Sequence, residues 1–125
     1  MRSVIVKTPL RIPLGGGGTD LPAYVTEHGG FIFGAALNAS VYVMVTQSHL
    51  MPGVSVATGT GVSEYSASAS DVSHPLVREA LLLTGIERGV AIVSTADVPG
   101  GTGLGGSGAF TVGLLHALLT LIGGE

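Results

Sequence analysis

Asp97-Val98-Pro99-Gly100-Gly101-Thr102-Gly103-Leu104-Gly105-Gly106-Ser107-Gly108-Ala109-Phe110 decides how this chain reads. A β-rich run, Gly89 to Thr95, comes before it, and apolar spacing predicts a helix over Gly105 to Ile122 after it. Strand, glycine turn and apolar helix therefore follow in that order. Glycine lets a backbone take positive φ and approach a ligand closely. Successive N–H groups in such a turn make an anion-binding nest, and the helix start adds unpaired donors and a partial positive charge. The segment suits a multiply charged phosphate held largely by backbone. The competing reading is that small residues only let the helix pack closely on a sheet.

Two phosphate motifs can be weighed against it. The P-loop pattern G-x-x-x-x-G-K-[ST] fails, because the chain has no Lys after Lys7. The dinucleotide fingerprint G-x-G-x-x-G matches at Gly101, Gly103 and Gly106. Its second strand and ribose-binding acid would fall beyond Glu125, however, and Asp97-Val98-Pro99 separates the glycines from the strand end.

Upstream, His74 to Thr84 reads as an amphipathic helix closed by Gly85, with Leu76, Val77, Ala80, Leu81 and Thr84 at helical spacing. Val54 to Thr58 and Val62 to Ala67 read as weaker, partly exposed strands. Ser40 to Gln47 alternates, with Val41, Val43 and Val45 on one face and Tyr42, Met44 and Thr46 on the other. Phe31 to Leu37 is a further β run. Leu21 to His28 reads as a short helix with Asp20 as N-cap and Gly29-Gly30 at its end. Val4 to Lys7 and Leu10 to Leu14 read as β segments flanking Pro9, before a glycine tract over Gly15 to Gly18. The tally predicts one α+β domain in which helices cover one face of a mixed sheet.

Composition narrows the function classes. The 125 residues are 46% hydrophobic and only 10% charged, too apolar for disorder. With no cysteine there is no disulfide framework, thiolate nucleophile or cysteine zinc site. The five Lys and Arg do not cluster along the sequence and the formal charge is −3, so no nucleic-acid partner is expected. His28, His49, His74 and His116 lack metal-ligand spacing, and His116 is expected on a helix face toward core or partner. The run Ala109 to Ile122 falls short of the ~18 apolar residues a membrane span needs. It reads as a buried core helix of a soluble, cytoplasmic chain with no membrane partner.

The N-terminal stretch Lys7-Thr-Pro-Leu-Arg11-Ile-Pro-Leu-Gly-Gly-Gly-Gly-Thr19-Asp20 adds an Arg on a strand and an Asp past a glycine bend. Arg presents a fork of donors to phosphate oxygens, and Asp accepts hydrogen bonds from sugar hydroxyls. Arg11 alone reads equally as one side of a surface ion pair, and Asp20 as a helix cap.

Taken together, Pro9-Leu-Arg11 through Thr19-Asp20 and Pro99-Gly-Gly101-Thr-Gly103-Leu104-Gly-Gly-Ser107-Gly-Ala109 resemble the GHMP kinase superfamily. Leu10 to Tyr24, Glu27 to Gly30 and Ala109 to Leu118 look most like its D-glycero-D-manno-heptose 7-phosphate kinases. The resemblance covers essentially the whole chain as a GHMP kinase N-terminal, ATP-binding domain over residues 1–125, truncated before a C-terminal domain. It implies ATP and Mg²⁺ as cofactors and a sugar or sugar phosphate as substrate, phosphorylated at the anomeric hydroxyl. Arg11 is implied as the catalytic cation. Gly17, Gly18, Thr19 and Asp20 are implied on the substrate side. Pro99, Gly101, Thr102, Gly103, Leu104, Gly105, Gly106, Ser107 and Gly108 are implied around the ATP phosphates, with Ser107 as a metal ligand.

Two departures bear on this. Gly106 stands where the family carries a Mg²⁺-binding serine, and the family's catalytic Asp lies downstream of this region. Asp71 and Asp97 are the remaining candidates, and neither occupies that motif. The isolated chain is therefore expected to be inactive, and to expose apolar surface through which it self-associates. The alternative is a non-catalytic remnant that binds nucleotide, sugar or a partner without turnover.

Overall fold

The computed structural model describes residues 1–16, 19, 21–59, 63–99 and 106–123. Strand β1 (Arg2–Gly15) leads to helix α1 (Pro22–His28), then β2 (Phe33–Gln47), β3 (Val54–Ala57) and β4 (Ser63–Ser66). A short 3₁₀ turn (Ala69–Asp71), α2 (Pro75–Thr84), β5 (Val90–Ala96) and α3 (Gly106–Gly123) complete the chain. The strands form one sheet in the order β1-β2-β5-β3-β4. β3 and β5 run parallel and the other neighbours antiparallel, so the sheet is mixed. This is the expected α+β architecture.

The valine alternation of β2 sets the layering. Val41, Val43 and Val45 are buried, as are Val54 and Val56 of β3 and Val90 and Ile92 of β5. Onto this face α3 turns Ala109, Phe110, Leu114, Ala117, Leu118 and Leu121, and α2 turns Val77, Ala80 and Leu81. All belong to one core cluster. Burying such side chains stabilises by roughly 1.5–3 kcal/mol each, so the helix–sheet layer carries most of the folding energy. By length and composition α3 could cross a membrane, but here one side of it is this core. Leu76 and His116 face outward instead.

The other sheet face has no helix over it among the described residues. Ile5 pairs with Met44, Met44 with Val93 and Val93 with Ala57, which lays an apolar row across four strands. The expectation of exposed apolar surface is met here and on α3 at Val112, Leu119 and Ile122.

Three boundaries differ from the sequence reading. The segments flanking Pro9 are one strand, because β1 lies at the sheet edge, where a missing N–H on the outer side costs no ladder bond. Phe33 to Gln47 is likewise one strand, with a register shift between Pro9 and Arg11 absorbing the irregular residues of both. The N-cap of α1 is Leu21 rather than Asp20, without a side-chain cap, since Pro22 occupies the first helical turn and its fixed φ starts the helix there.

Helix α2 is capped from two directions. His74 Nδ1 accepts from the Val77 N–H at 3.4 Å. Glu64 of β4 accepts from the Ser73 N–H at 3.1 Å and the His74 N–H at 3.2 Å. The Ser73 backbone donor, helped by that of His74, holds the Glu64 carboxyl below its ordinary value against a smaller opposing effect of desolvation.

Candidate functional site

The register places both glycine-flanked segments at one end of the sheet. Pro9 of β1 pairs with Ser40 of β2. On the other side of β2, the Asp97 N–H donates to the Ser40 carbonyl at 3.0 Å. The Ser40 N–H returns a bond to Asp97 Oδ2 at 2.8 Å, and the Tyr42 hydroxyl donates to the same oxygen at 3.3 Å. Ser40 is buried, so this double bond fixes where the chain leaves β5 for Pro99. The Pro9–Arg11 segment and the Asp97–Pro99 segment thus flank one strand, about 10 Å apart at the usual strand spacing.

At the bulge between Pro9 and Arg11, Leu10 turns into the core at 1% exposure. Arg11 remains exposed on the strand. Beyond it, β1 and β2 continue as a two-stranded arm that carries α1. Gly16 has φ +79°, and a side chain there would collide with the Phe31 carbonyl. Thr19 closes the arm: its hydroxyl accepts from the Phe31 N–H at 3.0 Å and lies within donating reach of the Gly16 and Phe31 carbonyls, at 2.7 and 3.0 Å. Thr19 therefore acts on the shape of the bend. Helix α1 buries nothing, and Leu14, Leu21, Tyr24, Phe31, Ile32 and Phe33 are all exposed.

Gly17, Gly18 and Asp20 of the expected substrate side lie outside the described residues, as do Gly101, Thr102, Gly103, Leu104 and Gly105. The described part of the expected phosphate side is Pro99, Gly106, Ser107 and Gly108. Pro99, Ser107 and Gly108 are exposed, and Gly106 is half-buried. Here the two readings of the glycines separate. A Cβ on Gly106 or Gly108 would meet nothing within 4 Å, whereas one on Gly113 would press on Thr8 Oγ1 at 2.7 Å. Gly113 is the packing glycine; the two at the helix start are not packed on by any of the described residues.

At that start the first N–H groups of α3 have no intrahelical partner, no acidic side chain stands in the first turn, and the helix dipole favours an anion. Ser107 and these amides offer donors with no carboxylate in the helix turn, which fits phosphate oxygens, and Arg11 is an exposed cation on the edge strand. A metal site is less complete. Among the described residues no group of three or more His, Asp or Glu could hold one, and Asp97 is occupied by Ser40 and Tyr42. The Asp97 clamp escaped the sequence reading because its partners lie 57 and 55 residues away.

Residues 72–125 match the family described as the GHMP kinases N terminal domain. The chain is 26% identical, over 94% of its length, to the D-glycero-alpha-D-manno-heptose 7-phosphate kinase of Campylobacter jejuni and spans 37% of that protein. It is 27% identical, over 99% of its length, to 14% of the bifunctional fucokinase/GDP-fucose pyrophosphorylase of Arabidopsis thaliana. The crystal structure of a D-glycero-D-manno-heptose 1-phosphate kinase from Bacteroides thetaiotaomicron matches with a TM-score of 0.82 at 22% identity, covering 98% of this chain and 42% of that one. These matches bear out the resemblance to the GHMP kinases. The chain spans less than half the length of each of these relatives.

Proposed function

We propose that this chain is the nucleotide-binding N-terminal part of an ATP-dependent sugar kinase, working in the cytoplasm with ATP and a sugar phosphate. Its substrate is D-glycero-D-manno-heptose 7-phosphate, phosphorylated at the anomeric hydroxyl. The observation that supports this most is the open space over Gly106 and Gly108 at the start of α3, at the sheet end from which Arg11 projects. The printed activity of the Campylobacter jejuni relative supports the choice of substrate.

In this reading the amides of Gly106 to Ala109 and the loop Gly101 to Gly105 hold the phosphates of ATP, with Pro99 setting the loop's exit. Arg11 places a fixed positive charge against the phosphoryl group as it moves, a transfer that depends on positioning and charge neutralisation. Gly17, Gly18, Thr19 and Asp20 meet the sugar. Mg²⁺, when bound with ATP, shields the charge on the phosphate oxygens; Ser107 is the side chain in this segment that would hold it. The bond from the terminal phosphorus to its bridging oxygen breaks as the bond to the sugar oxygen forms. The sugar's proton passes to a base outside this chain, so the 125 residues alone do not turn over. The exposed apolar arm and open sheet face lead to self-association of the isolated chain. Sedimentation at high concentration checks this, a single sharp monomer boundary being the contrary result.

The test is calorimetric titration of the chain with ATP, with and without Mg²⁺, followed by an assay with the heptose phosphate and ATP on a chain extended through the family's C-terminal domain. Binding to the short chain and turnover by the extended one are expected. Binding without turnover in both would favour a non-catalytic remnant, for which Gly106 in place of serine is the motivating observation. Binding of NAD in place of ATP would overturn the kinase reading.

A further inference from the structure

The opposite end of the sheet holds a second cleft, which the kinase reading leaves unused. β5 runs from Val90, paired with Gln47, to Ala96, paired with Val41 beside the glycine loop. Its length separates the two ends by about 20 Å. The cleft has a volume of about 630 Å³, and Arg2, Gln47, Ser48, His49 and Arg88 supply its polar lining. That size falls in the range of small-molecule sites, roughly 300–1,000 Å³.

Its charge is out of keeping with the chain. The formal charge is −3 with eight acids against five Lys and Arg, yet two of those five line this one cleft and, among the described residues, no carboxylate does. Arg88 makes no hydrogen bond or ion pair among the described residues, and neither does the His49 side chain. Arg2 is held in place: one Nη1–H donates to the Leu121 carbonyl at the end of α3, at 3.1 Å, leaving the rest of its fork available.

The wall is rigid backbone. The Ser48 N–H donates to the Gly89 carbonyl at 2.8 Å, the Met51 N–H to the Ser48 carbonyl at 3.1 Å and the Gly89 N–H to the Gly53 carbonyl at 2.8 Å. Gly89 has φ +78°, which keeps this return compact. Two guanidinium groups and an imidazole on a fixed frame, with no acid among the described lining residues, match the oxygens of a phosphate or pyrophosphate group.

We infer that this cleft binds a small anion carrying a phosphate or pyrophosphate group, at a site separate from the glycine loop. The inference stands whether or not the chain is a kinase. The experiment is an amide NMR titration of the whole chain with inorganic pyrophosphate, with acetate at matched ionic strength as control. Saturable shifts are expected at Ser48, His49 and Gly89, with a midpoint at or below about 1 mM, and no such shifts with acetate. Arg88→Gln should raise the midpoint about tenfold or more. Lys7→Gln, which removes the same charge elsewhere, should change it less than about twofold. Arg88 has no structural partner among the described residues, so its variant is expected to fold, and its unperturbed spectrum checks that. Shifts confined to residues 106–109, equal loss in both variants, equal response to acetate, or no saturation by about 20 mM would each overturn the inference.

Discussion

Helix α3 carries the same residue in two opposite surroundings. At Gly113 the helix lies so close to β1 that a methyl group would meet Thr8. One and a half to two turns earlier, a Cβ on Gly108 or Gly106 would meet none of the described residues within 4 Å. Close packing explains the first and cannot explain the others, since alanine would fit there and make a better helix. Glycine retained at a helix start without a steric reason leaves room for something that approaches the backbone. The difference separates glycines that packing requires from glycines that it does not.

The largest effect that could break this comparison is expected from Gly113→Val. Overpacking against Thr8 and Val43 should cost about 3 kcal/mol, read as a lowered denaturant midpoint with little change in the slope. A loss well under 1 kcal/mol would mean that the helix–sheet spacing is looser than described. Asp97→Ala comes next. It strands the buried Ser40 N–H and should cost roughly 1–2 kcal/mol, with faster amide exchange at Ser40 as the local sign. Gly108→Ala should move two quantities in opposite directions. Helix propensity raises stability by about 0.5–1 kcal/mol, while a methyl group in the phosphate path weakens ATP binding about tenfold. A purely structural glycine would give the first change without the second.

The smallest effect concerns the capping of α2. The Glu64 carboxyl is held below its ordinary value by the Ser73 and His74 amides. Its contribution to stability is therefore present above the unfolded-state value and is lost as pH falls through the lower, folded one. Glu64→Gln should flatten that part of the stability–pH curve, measured by urea midpoints between neutral pH and pH about 3. An unchanged acid limb would show that the carboxylate is not capping the helix.

The layers were legible from sequence because they rest on periodicity. Val41, Val43 and Val45 at period two, and Val77, Ala80 and Leu81 at helical spacing, can only bury together on one face each. Continuity was harder to read. Pro9 looks like a break, and only the position of β1 at the sheet edge makes it harmless, a fact of topology that no local window contains. The candidate site was legible only as a pattern. Glycine clustering and an Arg pick out the proposed phosphate end, but the Asp97–Ser40 clamp joins residues far apart in the chain. The Arg2–Arg88 cleft was invisible for the same reason: its cations lie far apart along the sequence, and the sheet brings them together.

The most direct measurement is the map of amide shifts as ATP is added to the isotopically labelled chain. The account predicts that Gly106, Ser107, Gly108 and Ala109 move first and furthest, while Gly113 and the α2 core hold still. Largest shifts on the open sheet row of Ile5, Met44 and Val93, or none anywhere at millimolar ATP, would contradict it.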